Sequence, residues 1–322
     1  MTNAAIGAFA DLYVEDGDGS PAGTGQQTFD SSSERYEFLS ESMGSTTAIL
    51  DGLGIHGSRS LSKNRLRRGI RQVGGTILLQ PSPTDLNFWL PRIMWKAEAA
   101  DTFALGDSAL PFGMLIDRVS DRGEYVTCYV NRATFRAQVG GLLELELDII
   151  ATEEYTKNTT PTAAGALPAT KPTFATGANG QPWSFHELAV LLPVATSEQV
   201  FNVELTIDNA LDARFTNSQT VSSICPTDRV ITLNCTVPYD STHEALYRSE
   251  AGGAGSLTFT NGSSVLTFTF VDLQGPDQAP NVTGKGEIVL NLGFTARNNA
   301  TDVSPADGQW DENELVITNV LT

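Results

Sequence analysis

The run Leu143-Glu144-Leu145-Glu146-Leu147-Asp148-Ile149 alternates apolar and carboxylate side chains without a break. Successive side chains of a β-strand leave opposite faces, so the run predicts a strand with one side on a core and three carboxylates on the other. A helix would scatter those leucines around its whole circumference. Val203-Glu204-Leu205-Thr206-Ile207-Asp208 alternates in the same way, and Leu266–Phe270 and Ile288–Phe294 do so less strictly. β-branched and aromatic residues fill these runs, while Gly, Asn and Asp punctuate them. The expectation is a mainly β protein. One segment departs from it. Ser82-Pro83-Thr84-Asp85 carries the cap and early proline of a helix start, and Leu86, Trp89 and Leu90 then fall on one face.

The order of elements repeats. Thr76–Gln80 followed by Pro83–Leu90 has a counterpart in Val230–Asn234 followed by Pro238–Leu246. Ala48–Asp51 mirrors Leu205–Asp208, and Leu143–Ile149 mirrors Ile288–Phe294. Identity between the halves is low, so the repeat is one of pattern. It predicts two tandem β-sandwich domains, each with one short flanking helix, near Pro83 and near Pro238. The Gly- and Ser-rich lead-in, residues 1–35, reads as an N-terminal arm. Residues 36–155 form the first domain, the Thr/Ala/Pro/Gly-rich stretch 156–180 a linker, and residues 181–322 the second domain.

Charge removes several functions. Lys and Arg total 20 against 38 Asp and Glu, a formal net charge of -18. Gripping a phosphate backbone needs cations, so nucleic-acid binding is not expected as the main task. Met1-Thr2-Asn3-Ala4 opens no signal sequence, and no run nears the ~18 apolar residues of a membrane span. The expectation is a soluble chain with no membrane binding of its own. Cys128, Cys225 and Cys235 form no metal-like pair; they read as reduced thiols, with a Cys225–Cys235 disulfide as the alternative. His56, His186 and His243 are scattered, and nucleophile-elbow, P-loop and dinucleotide motifs are absent. Glu15–Gly19 begins like a calcium loop, but Pro21 and Gln27 stand where Gly and Glu are required. No catalytic, metal or cofactor residue is expected, and no enzyme.

Two charged features remain. Arg59, Lys63, Arg65, Arg67, Arg68 and Arg71 gather six of the 20 basic residues in one short stretch, read as a loop. It is a solvated loop, a phosphate-binding arm, or a surface that docks on an acidic face of another copy. The absence of aromatic stacking residues and the acidic remainder favour the last. Glu144, Glu146 and Asp148 form the other feature. They are a solvated outer face, or the wall of a water-filled interior that must not hold DNA.

Gly57–Ser62, Arg68-Gly69-Ile70-Arg71-Gln72-Val73-Gly74-Gly75-Thr76-Ile77 and Pro83-Thr84-Asp85-Leu86, with Leu205–Asn209 and Arg214-Phe215-Thr216 in the second half, resemble the major tail tube proteins of long-tailed, siphovirus-type phages. The resemblance spans roughly residues 36–322. It implies a sandwich whose copies join sheets across subunits into a β-barrel, in rings that stack into a virion tail tube through which the genome passes. Many relatives carry one tube domain and form hexamers; a duplicated chain implies a ring of three with pseudo-sixfold symmetry. Implied partners are further copies of the chain and tape measure, tail terminator and baseplate proteins. DNA is passing cargo, and assembly takes place in the host cytoplasm. On this reading Glu144, Glu146 and Asp148 face the lumen, and Arg59 through Arg71 lie between rings. The alternatives are a capsid-decorating or other structural virion β-protein and a carbohydrate-binding module. The second would need exposed aromatic platforms, which Trp89, Trp95, Trp183 and Trp310 do not supply.

Overall fold

The computed structural model describes residues 7–17, 29, 33–52, 65–119, 121–156, 170–174, 178–193, 197–239, 252–275, 288–298 and 313–321. The first half contains β1 (Asp11–Asp16), β2 (Glu34–Tyr36), β3 (Ser40–Glu41), β4 (Gly44–Asp51) and β5 (Leu66–Leu79). Helix α1 (Pro83–Met94) follows, then β6 (Thr102–Ala104), β7 (Phe112–Asp117), β8 (Arg122–Gln138) and β9 (Glu144–Thr156). The second half contains β10 (Leu188–Leu191), β11 (Ser197–Glu198), β12 (Asn202–Asp208), β13 (Leu211–Arg214) and β14 (Ser223–Pro226). It ends with β15 (Val230–Pro238), β16 (Gly253–Asn261), β17 (Ser264–Gln274), β18 (Val289–Arg297) and β19 (Leu315–Val320).

Alternation does what the sequence predicts in β9, where Leu145, Leu147 and Ile149 are buried and the residues between them are not. α1 starts where expected. Ser82 Oγ accepts the Asp85 N–H, the Asp85 carboxylate accepts the Ser82 N–H, and Pro83 occupies the first turn. The helix extends beyond Leu90, through Pro91, to Met94. Its end is held by Trp95 in the left-handed region (φ 61°), by Gly106 N–H on the Met94 carbonyl and by Asn209 Nδ2 on the Ile93 carbonyl. Leu86, Trp89, Leu90 and Ile93 are fully buried, each a contribution of roughly 1.5–3 kcal/mol before conformational entropy is counted.

All strands except the β13·β14 hairpin belong to one antiparallel sheet. β8 pairs with β9 along most of its length and divides its other side between two neighbours. Phe112–Asp117 of β7 lie along its first part, and β12 lies along Arg132–Gln138. The pairings occur twice in one order. β1·β7, β7·β8, β8·β9, β9·β5 and β5 with β3 and β4 are matched by β10·β16, β16·β17, β17·β18, β18·β15 and β15·β12. Even a register shift recurs, between Phe112 and Met114 in β7 and between Gly253 and Gly255 in β16.

Several expectations change. The two halves, expected as tandem β-sandwich domains, are hydrogen-bonded into one sheet through β8·β12 and β6·β19, and one hydrophobic cluster spans both. Phe135 and Phe268 meet inside it, ring centroids 5.1 Å apart. Asp11–Asp16, within the segment expected as an arm, is a core strand with Leu12 and Val14 buried between β2 and β7. Part of the expected linker is docked. Lys171 pairs with Asp11, and Asn179 accepts hydrogen bonds from Thr84 of α1 and Ser264 of β17. From Leu66 onward the basic stretch is strand rather than loop, because β4 pairs with it. Of the second helix expected over Pro238–Leu246, Pro238 is the last residue of β15, and residues 240–246 lie outside the described residues.

Candidate functional site

The outer face of the central strands collects the charged residues. β9 sets Glu144, Glu146 and Asp148 on the side away from Leu145 and Leu147. The β8 register then places Arg136 opposite Glu144, Thr134 opposite Glu146 and Arg132 opposite Asp148. One strand further, β12 brings Glu204 opposite Arg136, Thr206 opposite Thr134 and Asp208 opposite Arg132. β15 and β18 continue the face with Thr232, Asn234, Asn291 and Gly293, while Thr76 of β5 and Ser42 extend it on the other side. Five carboxylates thus share this face with two guanidiniums, and the remainder is mostly hydroxyl, amide and glycine.

Arg136 bridges two of the acids. It pairs with Glu146 and, at 2.8 Å, with Glu204, and these hydrogen bonds hold its pKa above the ordinary arginine value. All three side chains remain partly exposed, so the bridge trims the negative charge without removing it. Asp148 accepts from Asn131 Nδ2 at 2.9 Å, and Glu144 has no ion-pair partner among the described residues. Sequence reasoning missed Glu204 and Asp208. Their signal was the same alternation that marked β9; what was missing was the β8·β12 junction that brings both strands into one band.

The basic stretch divides. Arg59 and Lys63 lie outside the described residues. Arg65, Arg67 and Arg68 are exposed at the far end of the β4–β5 hairpin, beside exposed Ile49, Leu50, Leu66 and Ile70. Arg71 turns inward to Glu154 at 3.1 Å and is therefore engaged within its own chain. The β13–β14 hairpin closes over this stretch: Gln219 accepts the Arg71 N–H at 2.7 Å and donates its side-chain amide to the Arg68 carbonyl. The described end of this hairpin is thus both apolar and cationic.

Asn209 ties these strands to the helix. It is buried, donates Nδ2 to the carbonyls of Ile93 and Val130, accepts from Arg229 Nε, and gives its N–H to the Asn131 carbonyl.

Chemistry of other kinds finds little support. All three cysteines are free thiols; burial pushes Cys235 up to about 12 and Cys128 higher still, which keeps both unreactive. Among the described residues no group of His, Cys, Asp and Glu is arranged to hold a metal ion, and no helix is long and apolar enough to cross a membrane. Trp89, Trp95 and Trp183 are buried, so none offers a platform to a sugar.

Comparison with curated proteins gave no match. The family model described as phage tail tube protein matches residues 54–296, from the basic stretch through β18 and across both halves of the sheet. On that match, the chain belongs to the phage tail tube proteins, a structural, non-enzymatic family of the virion tail.

Proposed function

We propose that three copies of this chain close their sheets into a ring, that rings stack into the tail tube, and that the polar face of β9, β8 and β12 lines the channel. The recurring order of strand pairings carries this reading. A duplicated unit lets one chain supply two of six barrel segments, so three chains do what six single-unit chains would. The composition of the face supports the assignment to the channel. A passing polyanion must slide without sticking, and a surface with more carboxylates than guanidiniums, otherwise hydroxyl and amide, offers phosphates no lasting partner. Edge-to-edge closure also removes open strand edges, a standing hazard for a β protein.

In this reading the hairpin end with Arg65, Arg67 and Arg68 lies between rings, against carboxylates of the adjacent ring. Family membership favours the tube over capsid decoration, and family precedent makes other tail proteins its partners. Negative-stain microscopy of the purified chain at rising concentration tests the proposal. Rings and stacked tubes are expected; a protein that stays monomeric at every concentration contradicts it.

A further inference from the structure

The two halves of the sheet differ at one edge. In the second half β12 is covered by β8, with Leu205 opposite Phe135 and Ile207 opposite Ala133. Backbone bonds close both ends of that junction: Val139 N–H to the Phe201 carbonyl at 3.1 Å, and Asn209 N–H to the Asn131 carbonyl at 2.8 Å. In the first half, β3 and β4 hold the place on β5 that β12 holds on β15. Leu39 N–H donates to the Leu78 carbonyl as Phe201 N–H donates to that of Thr236, both at 2.8 Å. The step along the chain from Tyr36, opposite Leu12, to Glu198, opposite Val190, equals the step from Ser40, opposite Leu78, to Asn202, opposite Thr236. Leu39, Met43, Ser45 and Thr47 therefore stand where Phe201, Leu205, Ile207 and Asn209 stand.

No strand covers β3 and β4 on their outer side among the described residues. Ser42 N–H points inward to the Thr76 carbonyl at 2.9 Å, so alternation turns the backbone groups of Ser45 and Thr47 outward. Met43, between them and Leu39, is held by its own chain. Its N–H goes to the Glu41 carboxylate at 2.9 Å, and its carbonyl accepts from Arg118 at 2.7 Å and Tyr125 at 3.0 Å. Glu41 grips the same Arg118 through both oxygens, at 2.7 and 2.9 Å. At the other end of the sheet, β18 lacks beyond Val289–Phe294 the neighbour that β8 gives to β9 among the described residues.

We propose that the outer edge of β3–β4 is the docking site for a second copy of this chain, paired antiparallel in the register of β8·β12. The Leu39 carbonyl and the N–H groups of Ser45 and Thr47 are its hydrogen-bonding groups, and the Glu41–Arg118 clamp closes Met43 between them. The chain fills the equivalent edge in its second half with a strand from its other half, and a second copy is the partner that offers strands of the same kind. This register also sets Ser40, opposite Leu78 in the row of Glu146, on the polar face, so the band continues across the junction. The inference rests on the ring reading and adds which edge receives and in what register.

Ser45→Pro tests it. Proline removes the outward N–H and is tolerated where that side of an edge strand is free, so the lone chain should keep its circular dichroism and melting behaviour. Ring yield should fall about tenfold or more. Hydrogen exchange on the unmodified protein gives an independent reading: the amides of Ser45 and Thr47 should become protected on assembly. Rings from the Ser45→Pro chain at normal yield, or exchange at these amides unchanged by assembly, overturn the edge assignment and leave the ring reading standing. An unmodified chain that never associates overturns both.

Discussion

At the residue scale, buried polar side chains fix the fold where alternation says nothing. Asn209, the first residue after β12, ties that turn to the end of α1, to β8 and to Arg229 just before β15. Asn209→Ala leaves the Ile93 carbonyl and the Arg229 guanidinium short of a partner, so unfolding in urea should show a loss of about 2–4 kcal/mol. Glu41 gives a pH-dependent counterpart. Burial alone raises its pKa, but the hydrogen bonds and charge of Arg118, with the Met43 N–H, outweigh burial and hold it below the ordinary 4.5. A carboxylate depressed in the folded state adds stability above its unfolded pKa and loses it as pH falls through the folded value. Glu41→Gln should therefore destabilise the lone chain at neutral pH, and the difference from the unmodified protein should shrink below about pH 4.5. A difference constant from pH 7 to pH 3 would remove the clamp from the account. Neither residue stands out in the sequence. A single Asn or Glu acquires its role from partners dozens of positions away.

At the element scale, what was legible tracks burial. Leu143–Ile149 and Ile288–Phe294 pair as the sequence suggests, because each has one face on the core: Leu145 lies opposite Leu79, and Leu290 opposite Val237. The match of Ala48–Asp51 to Leu205–Asp208 slips, since the registers set Met43–Thr46 there instead. β4 continues past the core as a hairpin, and its exposed Ile49 and Leu50 imitate a buried strand. The basic stretch reads as a loop for the converse reason: both faces of Leu66–Arg71 are largely open to solvent, so no period of two is imposed on it. That exposure yields a prediction. Changing Arg65, Arg67 and Arg68 together to Glu should leave folded rings that do not stack, because these side chains have no ion pair within the described chain and the rest of the molecule is acidic. Tubes of normal length from this variant would place the hairpin elsewhere.

For the whole molecule, the order of elements revealed a repeat but not how the halves connect. The β8·β12 and β6·β19 junctions join segments far apart in the chain, and local patterning does not encode such pairings. Once the junctions are known, Glu144, Glu146, Asp148, Glu204 and Asp208 form one band, and among the described residues the unpaired edges lie on β3–β4 and on β18. Among the described residues one core is shared by both halves while the sheet keeps unpaired edges, as the proposed ring closure requires.

The central claim is that one chain supplies two equivalent segments of a channel wall, and cryo-electron microscopy of assembled tubes tests it most directly. The account predicts rings of three chains, each contributing two similar segments, with Glu144, Glu146 and Asp148 facing the channel and β3–β4 of one chain beside the next. Rings of six chains, or these three carboxylates on the outer surface of the tube, would contradict it.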